Sequence, residues 1–100
     1  MKLEIVQTDN KVMATFEGRL DTVTSSEFEK KMTPYFSMQA VELILDCAAM
    51  EYISSAGLRV VLMTHKNITA KGARFIIRNL TKETRSVLDM TGFSRILTIE

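Results

Sequence analysis

The sequence predicts a single α/β domain over residues 1–100, with one mixed β-sheet and the helices packed on one face of it. Three observations predict this class. Apolar and polar residues alternate near the amino terminus, as in half-buried strands. Later segments repeat apolar residues three and four apart, as amphipathic helices do. A dense apolar run at residues 41–47 has the length of a central strand. Because helices separate the later strands, those strands should pair in parallel, in the order β-β-α-β-α-β-α-β.

The first two strands are predicted to form a hairpin. The run KLEIVQ has strand character, and a polar turn at residues 9–10 separates it from KVMATFEG. In the second run Val12, Ala14 and Phe16 alternate with residues that face the other way. Such alternation around a short turn is typical of an antiparallel hairpin, which Gly18 then ends.

The first helix is predicted over residues 22–33. Thr24 and Glu27 fit the capping-box pattern S/T-x-x-E, and Phe28 and Met32 are four residues apart with charged residues between them. Pro34 is expected to end or kink this helix, because proline lacks an N–H group and its ring clashes with the preceding turn.

A second helix is predicted from Ser55 to about Ala70, where one apolar stripe is followed by Lys71-Gly72. The next run, ARFIIRN, alternates, and its arginines indicate that one face of this strand meets solvent. A third helix is predicted for TKETRSVLDMTG, and RILTI is expected to form the last strand.

The charge and composition exclude several classes of protein. A net charge of +1 argues against a general nucleic-acid binder and against a polybasic membrane-surface protein. No run approaches the roughly 18 apolar residues of a membrane span, and the start MKLEIVQTDN lacks the apolar region of a secretion signal. The single cysteine, Cys47, lies in an apolar run, which predicts a buried free thiol in a reducing compartment. We therefore expect a cytoplasmic protein without a nucleic-acid or membrane partner, of a size that permits a monomer.

The run YISSAGL, residues 52–58, joins the central strand to the second helix. The first N–H groups of a helix have no intrahelical partners and favour negative charge. Ser54 or Ser55 can cap this helix, and Gly57 allows a close backbone approach. Serine is a common N-cap, so spacing alone favours a structural role. The functional reading is that one serine carries or binds a phosphate.

Three longer segments resemble the STAS domain family, the sulfate-transporter and anti-sigma-factor-antagonist fold, and within it the small single-domain anti-sigma factor antagonists. They cover nearly the whole chain in the family's order: FEGRLDTVTSSEFE, LILDCAAMEYISSAGLRVVL and GARFIIRNLTKETRSVLDMTGF. In that family the phosphorylated serine lies two residues before the glycine of a D-S-[ST]-G-[LIV] motif. The motif carries over to Ser55 and Gly57. Ser54 stands where the motif has Asp, and Ala56 replaces a hydroxyl, so recognition by a kinase could differ here.

The resemblance implies a partner switch. The unmodified protein binds an anti-sigma factor that is also a serine kinase, and a sigma factor is released. Phosphorylation of Ser55 abolishes binding, and a PP2C-type phosphatase resets the system. The protein is then a substrate and a binder, not an enzyme, with no cofactor, catalytic residue or metal ligand. The implied partner-binding surface comprises Asp21, Asp46, Ser54, Ala56, Gly57, Leu58 and Arg59.

Structural roles are also open for three of these residues. Asp21 can cap the first helix, Asp46 can form a turn at the predicted end of the central strand, and Leu58 can belong to the core. An alternative function is a STAS-like interaction module that binds a protein, nucleotide or lipid without being phosphorylated, because one fold hosts many functions.

A serine hydrolase is set aside. Ser55 lacks the G-x-S-x-G elbow. The only histidine, His65, follows on the same predicted helix at roughly 15 Å, which is beyond hydrogen-bond reach. Without a Cys/His cluster a metal site at His65 is not expected either, and this residue should border the apolar stripe.

Overall fold

Five strands and three α-helices follow one another in the predicted order. The computed structural model describes residues 1–37 and 39–100. The elements are β1 (Lys2–Thr8), β2 (Lys11–Leu20), α1 (Thr22–Met32), a 3₁₀ turn (Thr33–Ser37), β3 (Glu42–Ile53), α2 (Ser55–Ala70), β4 (Arg74–Arg78), α3 (Lys82–Thr91), a second 3₁₀ turn (Phe93–Arg95) and β5 (Thr98–Ile99).

The strands form one sheet in the spatial order β1-β2-β3-β4-β5. The β1–β2 pair is antiparallel, and the other three pairs are parallel. Each parallel connection contains a helix, as parallel pairing requires. The predicted mixed sheet and its hairpin are confirmed.

The helices cover one face of this sheet. The core contains alternate residues of the central strands, such as Ala14, Leu45 and Phe75, together with Phe28 of α1, and all four are nearly or fully buried. Cys47 also lies in this core, where burial raises the pKa of its thiol to about 12 and so keeps it protonated and unreactive.

The opposite face of the sheet differs from its prediction at one position. Ile44 and Ile76 pair across β3 and β4 on this face, and each is only 1% exposed. The expectation that this face of β4 meets solvent is therefore wrong at Ile76. Arg74, two residues before Ile76 on the same face, is exposed and pairs with Glu42 at 3.7 Å.

Strand β3 is longer than the predicted residues 41–47. It continues to Ile53, and its register against β2 shifts between Thr15 and Glu17 and again between Gly18 and Arg19. At each shift β3 has one more residue than β2, which is a β-bulge. The bulges interrupt the alternation of apolar residues, and this is why the second half of the strand is not evident in the sequence.

The helices end close to the proline and glycine residues that were expected to end them. Helix α1 ends at Met32, ahead of Pro34, as predicted. Helix α2 ends at Ala70, and Gly72 follows with a φ of +83°. The last strand is shorter than predicted because the chain first makes a 3₁₀ turn after Gly92.

Candidate functional site

The junction of β3 and α2 is built around Ser54. Its backbone is extended, with φ −95° and ψ 178°, and helix α2 begins at the next residue. The Gly57 N–H donates to the Ser54 hydroxyl oxygen at 3.2 Å, and the Leu58 N–H donates to the Ser54 carbonyl at 2.8 Å. Of the two serines that could cap the helix, Ser54 is therefore the N-cap.

Ser55 is the first residue of α2, and it is exposed. Within residues 1–37 and 39–100 its hydroxyl has no hydrogen-bond partner. Its N–H belongs to the first turn, whose donors lack intrahelical acceptors. A hydroxyl group thus lies uncovered at the positive end of a helix dipole, where negative charge is well tolerated.

Gly57 places the start of α2 directly against the end of β2. A Cβ atom at this position would lie 2.5 Å from the Leu20 carbonyl oxygen and 2.9 Å from Cγ1 of Ile53. The same Leu20 carbonyl accepts a hydrogen bond from the Ser54 N–H at 2.9 Å. Only glycine fits without displacing backbone, so the predicted close approach at Gly57 is confirmed.

Asp21 is the N-cap of the neighbouring helix α1. Its Oδ1 accepts hydrogen bonds from the N–H groups of Val23 at 3.0 Å and Thr24 at 3.1 Å. The Thr24 hydroxyl accepts in return from the Asp21 N–H at 2.9 Å, which completes a capping box. The predicted box of Thr24 with Glu27 is wrong, because the helix begins at Thr22, ahead of both residues.

The hydrogen bond from the Thr24 N–H holds the pKa of Asp21 below its usual value, and the nearby Arg19 charge adds to this effect. The side chain is therefore ionised at neutral pH. Its Oδ2 lies 3.8 Å from Nε of Arg19.

Arg19 and Tyr52 form a second contact beside the junction. They are paired residues near the ends of β2 and β3, and the guanidinium carbon lies 4.2 Å from the centre of the tyrosine ring. Sequence reasoning missed this pair. The two residues are distant in the chain, and the bulges that set their register leave no simple pattern.

The other predicted surface residues divide into buried and exposed ones. Gly57 and Leu58 are buried, so Leu58 is a core residue that offers little to a partner. Ala56 is half-buried. Arg59 is exposed and lies one helical turn after Ser55, on the same side of α2.

Asp46 does not lie at the junction. It was expected at the end of the central strand, but β3 continues to Ile53, roughly 20 Å farther at the rise of a strand. Asp46 accepts hydrogen bonds from the Ala48 N–H at 3.0 Å and from the Asn79 side chain at 3.3 Å. The predicted position of Asp46 at the end of the strand is therefore wrong, and its membership of the partner-binding surface stays a prediction.

His65 is half-buried, with its ring 6.4 Å from that of Phe75. It borders the core as predicted. In the described part of the chain, no three His, Cys, Asp or Glu side chains gather as metal ligands. Nor is any described helix long and apolar enough to cross a membrane.

Comparison with known proteins gives one family. The STAS domain profile matches residues 2–100. A Bordetella bronchiseptica relative that carries the name of an anti-sigma factor antagonist, BtrV, is 27% identical over 99 residues, which are 99% of this chain and 85% of the relative.

Solved structures agree on the fold. A Thermotoga maritima protein described as an anti-sigma factor antagonist superimposes with a TM-score of 0.89 at 21% identity, over 97% of this chain and 84% of the other. The Bacillus cell fate determinant SpoIIAA in its phosphorylated form gives 0.77 at 18% identity, over 99% and 91%. The profile match, the sheet order and the capped junction lead to one conclusion: the chain belongs to the STAS domain family.

Proposed function

We propose that this protein is an anti-sigma factor antagonist whose binding is switched off by phosphorylation of Ser55. The observation that carries the proposal is the contrast between two adjacent hydroxyls. Ser54 is engaged as the helix cap, whereas Ser55 is exposed and has no hydrogen-bond partner in the described chain. The name of the Bordetella relative and the existence of SpoIIAA in a phosphorylated form support it.

The chemistry is a phosphoryl transfer carried out by the partner. The Ser55 hydroxyl oxygen attacks the γ-phosphorus of ATP, the bond to ADP breaks, and the hydroxyl proton passes to a base of the kinase. The products are phosphoserine and ADP. The anti-sigma factor is both the kinase and the binding partner in this scheme. A PP2C-type phosphatase hydrolyses the ester and restores the hydroxyl.

The added charge acts differently on the fold and on the complex. A phosphate brings about −1.5 to −2 charges at neutral pH. At the start of α2 the helix dipole tolerates this charge, so the domain stays folded. At an interface the same charge must be desolvated or must face the partner's own charges. A loss of about 3 kcal/mol is enough to weaken affinity on the order of a hundredfold.

The switch would operate in a reducing compartment, the cytoplasm. The buried free thiol of Cys47 supports this placement, since a lone cysteine of this kind is typical of such an environment.

The test is a binding measurement with each purified anti-sigma factor of the source organism that contains a serine-kinase domain. Isothermal titration should show that one of them binds the wild-type chain and Ser55→Ala alike. Ser55→Glu should bind about a hundredfold more weakly, as the charge argument requires. Ser86→Glu, the same change at an exposed position of α3, is the matched control and should bind normally.

Two results would count against the proposal in different ways. If no anti-sigma factor binds the wild-type chain, the protein is not an antagonist. If one binds Ser55→Glu as tightly as the wild type, the protein is a passive interaction module and Ser55 is not its switch.

A further inference from the structure

The outward side of α2 carries a shallow groove that begins one turn after Ser55. Its volume is about 350 Å³. The residues that line it all belong to α2, and they are Arg59, Leu62, Met63, Lys66 and Asn67. We refer to these five residues as the α2 groove.

The α2 groove combines an apolar floor with positive charge. Leu62 and Met63 form the floor and are half-buried, so part of their apolar surface meets solvent. Arg59 and Lys66 are exposed and flank them along the helix axis. Helix α2, residues 55–70, contains no Asp or Glu that could neutralise them.

The two cations of the α2 groove also lack ion pairs elsewhere. No carboxylate of the described residues lies within 4.0 Å of Arg59 or Lys66. Arg74, Arg78 and Arg85 each pair with a carboxylate, whereas exposed Arg95 and Lys82 have no ion pair among the described residues, so the combination with apolar side chains is what sets the α2 groove apart. The α2 groove is therefore a surface where positive charge is left uncompensated beside apolar side chains.

We propose that the α2 groove docks an acidic segment of the anti-sigma factor, one that presents apolar side chains to Leu62 and Met63 and carboxylates to Arg59 and Lys66. This inference rests on the proposed function and names the chemistry of the partner. Carboxylate–guanidinium pairs at the rim of an interface give register and selectivity, and apolar contacts beneath them exclude water.

A nucleic acid is a poorer match to the α2 groove. Binding of a nucleic acid depends on neutralising many phosphates, typically with six or more basic contacts on one face. The α2 groove offers two cations around an apolar floor, and the net charge of the chain is +1. An acidic protein segment satisfies both the charge and the apolar surface.

The position of Arg59 connects the α2 groove to the switch. Ser55 and Arg59 are four residues apart on one helix, so their side chains are neighbours. A phosphate on Ser55 would draw the Arg59 guanidinium into a charge-assisted pair and place negative charge beside the docked carboxylates. Phosphate and partner then compete for the same arginine, so phosphorylation of Ser55 weakens binding of the partner.

The test uses the anti-sigma factor that binds the wild-type chain, at about 50 mM and about 500 mM NaCl. Arg59→Glu and Lys66→Glu should each weaken binding by about tenfold or more, and the wild-type affinity should fall at the higher salt. Lys82→Glu, the same charge change at an exposed position of α3, is the control and should change the affinity less than threefold. Thermal melts of each variant show that it is folded.

A second readout concerns the phosphate itself. In protein phosphorylated on Ser55, the ³¹P titration should give a lower second pKa for the wild type than for Arg59→Gln, because the guanidinium stabilises the dianion. If the wild type binds but neither charge reversal weakens binding, the proposed docking site is wrong while the antagonist function stands. If the two titrations coincide, the proposed pairing of Arg59 with the phosphate is wrong. If no anti-sigma factor binds at all, both proposals fail.

Discussion

Two helices begin side by side at the carboxyl ends of neighbouring parallel strands, and their first turns are built differently. Helix α1 follows β2 and is capped by the carboxylate of Asp21, which accepts two backbone hydrogen bonds. The Asp21 N–H in turn donates to the Thr24 hydroxyl. Helix α2 follows β3 and is capped by the Ser54 hydroxyl, which accepts a single bond at 3.2 Å.

This difference concerns how much negative charge each helix start already holds. At α1 a carboxylate already occupies the position that an incoming anion would take, and Arg19 lies beside it. At α2 the cap is neutral, and the next residue, Ser55, has an uncovered hydroxyl. The same location in the fold therefore holds a charged cap at one strand and a neutral cap beside an uncovered hydroxyl at the next, and the proposed function assigns the phosphate to that hydroxyl.

The largest expected effect comes from Gly57→Ala, which forces the start of α2 away from β2. The new Cβ would meet the Leu20 carbonyl at 2.5 Å, and a backbone oxygen cannot rotate aside. We expect a loss of about 2 kcal/mol in the free energy of unfolding, measured in urea, although alanine is the better helix former. Ala56→Gly, the adjacent control, removes helix propensity without a clash and should cost about 1 kcal/mol or less. An unchanged or stabilised Gly57→Ala would contradict the close approach.

The caps should differ in how much each supports the fold. Ser54→Ala removes one accepted hydrogen bond and should cost about 1 kcal/mol. Asp21→Ala removes both bonds that Oδ1 accepts from the N–H groups of Val23 and Thr24, so its melting temperature should fall further. Thermal melts of both variants under one condition make the comparison. A larger effect at Ser54 would reverse the roles assigned to the two helix starts.

The Asp21 cap should also make stability depend on pH. Its folded-state pKa is lowered, chiefly by the bond from the Thr24 N–H, whereas the unfolded value is about 3.9. The contribution of the carboxylate is therefore complete above the unfolded pKa and is lost as the pH falls through the folded pKa. The stability difference between wild type and Asp21→Asn should be constant near neutral pH and shrink below about pH 4. A difference that grows on acidification would contradict the capping role.

The smallest expected effect is that of Ser55→Ala on stability. The side chain is exposed and makes no hydrogen bond within the described residues, so the free energy of unfolding should change by less than about 0.5 kcal/mol. Urea unfolding of Ser55→Ala beside Ser54→Ala shows which hydroxyl supports the helix. A cost at Ser55 equal to that at Ser54 would mean that both hydroxyls serve the fold.

The order of elements could be predicted from the sequence because the helices have apolar stripes and the strands show either alternation or a dense apolar run. The length of β3 was not, because its bulges break the alternation after Cys47. That error also moved Asp46 to a strand end it does not occupy. The capping box was misplaced because Thr24 and Glu27 match the pattern by residue type, whereas the true cap is fixed by where the backbone leaves β2.

At the candidate site, too, some features could be predicted from the sequence and others could not. The start of α2 at Ser55 is a local property of the chain, and the sequence predicts it. A close backbone approach at Gly57 is predicted too, but its contact with Leu20 of β2 is not. The Arg19–Tyr52 contact and the α2 groove depend on how elements meet or on which helix face is left uncovered. Such features require coordinates.

The most direct test of the account is to map the phosphate after incubating the protein with its anti-sigma factor and ATP. Intact-mass and peptide mass spectrometry should find one phosphate, on Ser55, in the wild type and in Ser54→Ala, and none in Ser55→Ala. A phosphate on Ser54, or one that persists in Ser55→Ala, would contradict the assignment of one hydroxyl to the fold and the other to the switch.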